Sequence, residues 1–291
     1  MIVNPAARGG ASREREAIRA FAHVGVDVAV HRTTASGDAA QLALTLAPEL
    51  EASAEPLYVL GGDGTVMEAV GALAGRSVPV GILPGGTGNQ LARILGIPLD
   101  VRRAVRALSQ PRIAVFDLGR LADGRYFALT AGMGLDAAMI ARTSTAAKSR
   151  FGVAAYIASA AGAIWNAPTF SVRIEADGQH FEREAALVMI ANVASVMDGR
   201  FALGPEVAHD DGWLNLALLS PRGVRDGLAL AMRLARRDFR PDPRMLFLRA
   251  RELRATADRP VPLQADGELL RGSSLAASVA PSAARFLAPV R

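Results

Sequence analysis

An apolar strand, a glycine-rich turn and a helix-compatible stretch follow one another twice in this chain, and that repetition restricts the fold more than any other feature. Pro56-Leu57-Tyr58-Val59-Leu60 runs into Gly61-Gly62-Asp63-Gly64-Thr65 and a helical pattern over 66–74. Residues 78–83 run into Pro84-Gly85-Gly86-Thr87-Gly88-Asn89 and a helical pattern over 90–95. Parallel strands need a crossover, usually a helix, so this order predicts neighbouring strands of one parallel sheet. Ligands of such sheets bind beyond the carboxyl ends of the strands, where both turns lie. Glycines without Cβ permit positive φ and let amide N–H groups approach a ligand, and the following helix N-terminus attracts anions. One such turn is commonly only a turn; two together point to a phosphate site. Asp63 among those donors would repel phosphate unless a divalent cation sat between them, which adds Mg²⁺ to the expectation.

The N-terminus repeats the theme, with Met1-Ile2-Val3 leading into Asn4-Pro5-Ala6-Ala7-Arg8-Gly9-Gly10. Up to residue 121, apolar strands at 26–30, 57–60, 78–83 and 113–118 alternate with helical stretches at 12–23, 38–46, 66–74 and 101–108, the pattern of a doubly wound parallel sheet. Then the pattern changes. Strands at 170–176 and 179–183 flank Asp177-Gly178, a hairpin signal, and further strands are expected at 186–192, 213–219, 246–257 and 262–265, with helices at 152–165 and 223–236. The fold class is therefore α/β plus β: an N-terminal doubly wound parallel-sheet domain, 1–121, and a C-terminal antiparallel β-sandwich-like domain, 122–273.

A chain of 291 residues can bury a substantial core in two such domains. Lacking cysteine, it has neither disulfides nor thiolate chemistry. His23, His31, His180 and His209 are scattered without metal-ligand spacing. No apolar run reaches the about 20 residues of a bilayer span, and the N-terminus lacks a signal-peptide pattern, so a cytoplasmic location is expected. The formal charge is +5, and Lys148 is the sole lysine. Between Asp136 and Glu175 there is no acid, while Arg142, Lys148, Arg150 and Arg173 punctuate an Ala-rich segment. Such a surface suits an anionic phospholipid membrane, and a buried Ala-rich helix with solvated cations at its ends explains it equally well. A second basic run, from Arg233 through Arg254, carries the same pair of readings. No nucleic-acid-binding motif accompanies the charge, so nucleic acid is not an expected partner.

Gly132-Met133-Gly134-Leu135-Asp136-Ala137 after an expected strand at 126–130 imitates the G-x-G-x-x-A dinucleotide fingerprint. The fingerprint also needs an acid about 20 residues on, and the acid-free segment supplies none.

Asn4-Pro5 after the first strand, Gly-Gly-Asp-Gly-Thr after the third, Pro-Gly-Gly-Thr-Gly-Asn after the fourth and Asp266-Gly267-Glu268 near the C-terminus together resemble the diacylglycerol-kinase catalytic-domain family. That family includes bacterial lipid kinases and the sphingosine and ceramide kinases. The resemblance spans nearly the whole chain. It implies a transferase of lipid metabolism and phospholipid biosynthesis that moves the γ-phosphoryl group of ATP to a lipid hydroxyl at the membrane surface, with peripheral membrane association. Residues 1–121 would be the nucleotide-binding domain, to which the tail 274–291 returns, and 122–273 the lipid-substrate domain; a homodimer is compatible with it. By resemblance, Asn4, Thr33, Gly61, Gly62, Asp63, Gly64, Thr65, Gly86, Thr87 and Asn89 hold the nucleotide, with Asp63 and Asp117 near the catalytic Mg²⁺. Glu268 would be the base and Asp266 its partner, although Asp266-Gly267 also reads as an ordinary turn. Asp211, with the carbonyls of Ala208 and Trp213, would bind a second, structural Mg²⁺. Gly132-Met133-Gly134 would be a glycine turn lining the active-site cleft.

Departures from the family pattern are Asn215 and Gln90, each where aspartate is usual, and a first strand shorter than usual, which marks the start as a candidate for truncation or misassignment. Gly-Gly-Asp-Gly also occurs in NAD kinases and phosphofructokinases. An NAD kinase-like enzyme and a non-catalytic nucleotide or lipid sensor therefore stay open as alternatives.

Overall fold

The computed structural model describes residues 1–7, 9–135, 137, 169–196 and 199–290. They form two compact units, Met1–Phe116 with Ser282–Arg291, and Asp117–Pro281. The first unit contains β1 (Ile2–Val3), α1 (Gly10–His23), β2 (His31–Arg32), α2 (Asp38–Ser53), β3 (Leu57–Gly61), α3 (Asp63–Ala72), β4 (Val80–Pro84), α4 (Gln90–Ile94) and α5 (Val101–Ala107). Its sheet runs β2-β1-β3-β4 and is extended by the end of β18 (Ser274–Pro289), with every one of these pairings parallel. Ile2 and Val3 are fully buried, and so is every residue of β4. Burial on both faces is what a parallel sheet covered by helices requires. The helices pack in two pairs, α1 with α5 and α2 with α3. On α1 the buried positions Gly10, Glu14, Ala17 and Phe21 recur at helical spacing, and buried Glu14 is paired with Arg32 (Nε to Oε2, 3.0 Å).

The strand expected at 26–30 does not form; β2 begins at His31. Its partner β1 offers only Ile2 and Val3, opposite His31 and Arg32. Ahead of that register the amino group of Met1 donates to Ala29 O at 2.6 Å and the Val26 N–H to Phe21 O at 3.0 Å, neither of them a strand ladder, so the alternating valines have none to join among the described residues.

The second unit is a pair of antiparallel sheets. One has the order β14 (Met245–Ala250), β13 (Leu214–Leu219), β10 (Leu187–Ala191), β7 (Thr130–Gly134), β16 (Leu263–Ala265), β17 (Glu268–Leu270). In the other, the start of β18 pairs with β15 (Glu252–Ala257), which pairs with β8 (Phe170–Ala176) and then β9 (Gln179–Ala185). Alternate residues of both sheets, among them Phe170, Val172, Ile174, Val188, Ile190, Leu214, Leu216 and Leu253, meet in one buried core, as the period-two pattern of a sandwich demands. β5 (Pro111–Leu121) enters this unit and pairs with β6 (Tyr126–Phe127). A short hairpin, β11 (Ser195–Val196) with β12 (Phe201–Ala202), and one helix, α6 (Val224–Ala235), complete the described elements.

Two further expectations need correcting. The run 246–257 is two strands, not one: β14 joins β13, β15 joins β8 and β18, and the chain changes sheets at Arg251, whose N–H donates to Asp177 Oδ1 at 3.0 Å. Gly132-Met133-Gly134 is not a turn. It is the buried end of β7, paired on both sides with β10 and β16. A Cβ at Gly134 would come 2.5 Å from Ala186 O and 2.7 Å from the Phe170 ring, and its φ is +84°, so packing explains that glycine. The helix expected at 152–165, with Arg142, Lys148 and Arg150, lies outside the described residues.

Candidate functional site

In the first unit Gly61 closes β3, Gly62 caps α3 in an extended conformation (φ −85°, ψ 178°), and Asp63, Gly64 and Thr65 form its first turn. None of Gly61, Gly62, Gly64, Gly85 and Gly86 has positive φ, which corrects the expectation that these glycines serve to reverse the backbone. Space explains them. A Cβ on Gly61 would come 2.8 Å from Thr65 Cβ, one on Gly85 3.0 Å from Gly61 Cα, and one on Gly86 2.7 Å from Gly62 Cα. The Gly85 N–H donates to Gly61 O at 2.8 Å, so the two turns lie backbone against backbone. No side chain caps α3, and its first bond runs from the Val66 N–H to Gly62 O at 3.1 Å. The amides ahead of it form a helix N-terminus open to an anion.

Neighbouring side chains hold this arrangement. Asn4 Nδ2 donates to Thr65 Oγ1 at 2.9 Å while its Oδ1 accepts the Ala6 N–H at 3.0 Å, tying the first loop to α3. Thr33 is buried, and its N–H donates to Val3 O at 2.9 Å. Asn89, at φ +48°, accepts the Gly86 N–H at 2.8 Å and donates back to Gly86 O at 2.9 Å. Its amide closes the second turn, while Thr87 stands exposed at the tip. Asp63 links the turns: Oδ1 accepts the Leu91 N–H at 3.4 Å, and Oδ2 lies 2.9 Å from where a Gly88 Cβ would stand. Burial pushes the Asp63 carboxyl above its ordinary value, against the opposing pull of the Leu91, Gln90 and Asn89 amides. Arg13, which donates to Pro84 O at 3.1 Å, brings a cation beside the second turn. Sequence reasoning passed over it, although a basic residue in the first turn of the helix after the Asn4-Pro5 loop was a usable signal.

In the second unit the expected residues separate into occupied and open groups. The Asp117 N–H donates to His209 O at 2.6 Å, and its Oδ2 accepts the Gly212 N–H at 2.6 Å, so this buried acid anchors the 208–213 loop. Asp211 Oδ1 accepts the Trp213 N–H at 3.0 Å, and Oδ2 accepts from Arg249 Nη2 at 2.7 Å. The Arg249 and Arg251 guanidinium carbons lie 5.4 and 4.9 Å from the Trp213 ring centroid. An arginine is thus matched to the one carboxylate of the expected Ala208–Asp211–Trp213 set. Nearby, Asn192 Nδ2 donates to Asp117 O and Ala128 O at 2.8 and 3.0 Å. Asn215 is a buried neutral amide. Asn192 escaped sequence reasoning because its partners lie 75 and 64 residues away.

Asp266 and Gly267, at φ +45° and +88°, form the two-residue turn between β16 and β17, which puts Ala265 opposite Glu268. Asp266 Oδ2 accepts the Ala128 N–H at 2.7 Å, and Oδ1 accepts those of Leu129 and Thr130 at 2.9 and 3.0 Å. It thus fixes the start of β7. Asp266→Ala should therefore lower the unfolding free energy by about 2–4 kcal/mol, since hydrogen bonds to a charged acceptor are the stronger kind. Urea denaturation measures this, and an unchanged midpoint would contradict the role. Glu268 is exposed, and Arg125, itself held by Asp123, lies within its electrostatic reach. Of the acidic pair it is the carboxylate available to a ligand.

Comparison with known proteins gives three concordant findings. Residues 1–121 match the family described as diacylglycerol kinase catalytic domain, and residues 130–288 match that described as YegS C-terminal NAD kinase beta sandwich-like domain. A Pseudomonas aeruginosa protein named "Probable lipid kinase YegS-like" is 31% identical over 99% of this chain and 94% of its own length. The diacylglycerol kinase of Staphylococcus carnosus is 29% identical over 84% of this chain and 79% of its own. A crystal structure from Bacillus anthracis str. Sterne superposes with a TM-score of 0.81 at 25% identity, covering 99% of this chain and 93% of that one.

Proposed function

The chain belongs to the diacylglycerol kinase catalytic-domain family and is a kinase, and from that premise we propose that it transfers the γ-phosphoryl group of ATP to the hydroxyl of a lipid such as diacylglycerol or a sphingoid or ceramide-type lipid. The observation that carries this reading is the uncapped N-terminus of α3 set backbone to backbone against the second glycine turn. Such a surface cradles phosphates with main-chain amides, which suits a chain whose sole lysine is Lys148.

Asn4, Thr65 and Asn89 act through the loops they hold. Arg13, near the Pro84 carbonyl, adds positive charge. Asp63 is a half-buried carboxylate raised by desolvation, a donor that suits Mg²⁺, which commonly takes one or two carboxylates plus substrate phosphates. When bound, Mg²⁺ neutralises charge on the phosphates. Glu268 takes the proton of the lipid hydroxyl, with Asp266 as the residue that positions its hairpin and Asp117 as the anchor of the neighbouring loop. On this reading the protein works in the cytoplasm at a membrane surface and supplies phosphorylated lipid for phospholipid synthesis. No helix of the described residues is long and apolar enough to cross a membrane.

Purified protein, ATP, Mg²⁺ and a panel of diacylglycerol, ceramide, sphingosine and NAD test the acceptor class through release of ADP. Turnover with a lipid supports the proposal; turnover with NAD alone would overturn it.

A further inference from the structure

The outer face of α6 is apolar where a helix face toward water is ordinarily polar. Leu230 and Gly227 face inward and are buried, whereas Leu228 and Met232, one turn apart on the opposite side, are 48% and 53% exposed. Exposed arginines surround them: Arg225 and Arg236 on the same face, Arg222 just before the helix and Arg237 just after it. Among the described residues none of these four makes an ion pair. The acids of the segment are matched elsewhere, Asp226 by Arg244 at 3.0 Å, Asp242 by Arg233 at 2.6 Å and Asp238 by Arg240 at 2.8 Å. The face and the residues flanking its helix therefore combine two apolar side chains with four unmatched cations and no free carboxylate.

We propose that this face of α6 docks the protein onto anionic bilayers. A helix lying in the interface inserts its apolar side chains into the acyl boundary and sets arginines at the level of anionic headgroups. The long arginine stems let guanidinium groups reach headgroup oxygens while their methylenes cover apolar surface. A soluble partner protein would more often present mixed charges to such a surface, whereas a bilayer containing phosphatidylglycerol presents negative charge and hydrocarbon together, the complement of what α6 displays. The docking deepens the lipid-kinase reading and rests on it only for the reason a bilayer is visited.

The test is co-sedimentation of the full chain with vesicles of phosphatidylcholine alone or mixed with phosphatidylglycerol. Wild-type protein should bind the mixed vesicles more tightly and lose binding as NaCl rises. Arg225→Gln/Arg236→Gln should weaken that binding about fivefold per arginine, and Leu228→Glu/Met232→Glu by at least as much, both changes lying on an exposed face that leaves folding intact. Arg173→Gln, at an exposed position of β8 and paired with Glu182 at 3.0 Å, should change nothing. Phosphorylation of a dispersed short-chain diacylglycerol should be the same in all variants. Undiminished vesicle binding by both double variants overturns the docking role while leaving the kinase reading intact, as does a dimer-to-monomer change in solution without loss of vesicle binding. Variant-sensitive vesicle binding by a protein that phosphorylates no lipid keeps the docking role and removes the kinase reading.

Discussion

Asp63→Asn should reduce phosphoryl transfer about 10²-fold or more, the scale on which removing one preorganised electrostatic group acts, with the first unit still folded. Asparagine keeps an oxygen for the Leu91 N–H and fits beside Gly88, where the Asp63 carboxylate now sits. What it loses is the charge. Stability should not suffer, and the sign can be worked out. Burial raises the folded-state value of Asp63 above 3.8, so folding favours its neutral form. That advantage is present below the unfolded value and is lost as pH rises through the folded one. In the absence of Mg²⁺ the wild type should therefore lose stability relative to Asp63→Asn as pH rises from about 4. Thermal melts of both proteins across that range check the structural half, and initial rates at saturating Mg²⁺ check the catalytic half. Near wild-type turnover by Asp63→Asn would remove the carboxylate from the chemistry.

Glu268→Gln should leave nucleotide binding unchanged and slow turnover about 10²–10⁴-fold, the usual contribution of a general base. The side chain is exposed on the first residue of β17, so an isosteric amide disturbs neither hairpin nor core. Asp266→Asn in parallel separates the two acids, because its amide nitrogen cannot accept from Ala128, Leu129 or Thr130 as the carboxylate does. Its main cost should appear in stability, whereas the Glu268 cost should appear in kcat. Effects within such a pair need not add, so the double variant is required before either is apportioned. A Glu268→Gln enzyme that turns over at the wild-type rate when chemistry is rate-limiting would take the base away from this position.

The division between what could be read ahead of the structure and what could not follows the range of the interactions. β3, β4 and their turns are written in contiguous residues: apolar runs, then glycines, then helix formers. The reason for those glycines was not readable, because it is the approach of Gly62 to Gly86 and of Gly61 to Gly85 across two strands. Valine alternation over 26–30 promised a strand that an edge position beside the two-residue β1 could not provide. The break at Arg251 has no local signal, since β14 and β15 are both strand-like and only their partners differ. In the site, Asp266 read as the partner of Glu268 or as an ordinary turn residue, and its anchoring role was not readable because the three amides on its carboxylate lie 136 to 138 residues away. Nor was the partner of Asp211 readable, because Arg249 lies 38 residues on, in the strand β14.

The most direct measurement is transfer of label from ATP carrying a radioactive γ-phosphate into a total lipid extract of the host, followed by chromatography, with wild type and Glu268→Gln side by side. The account predicts a labelled lipid species from the wild type that is nearly absent with Glu268→Gln, although both proteins bind ATP equally. Labelled product confined to the water-soluble fraction, or the same lipid labelling by both proteins, would contradict it.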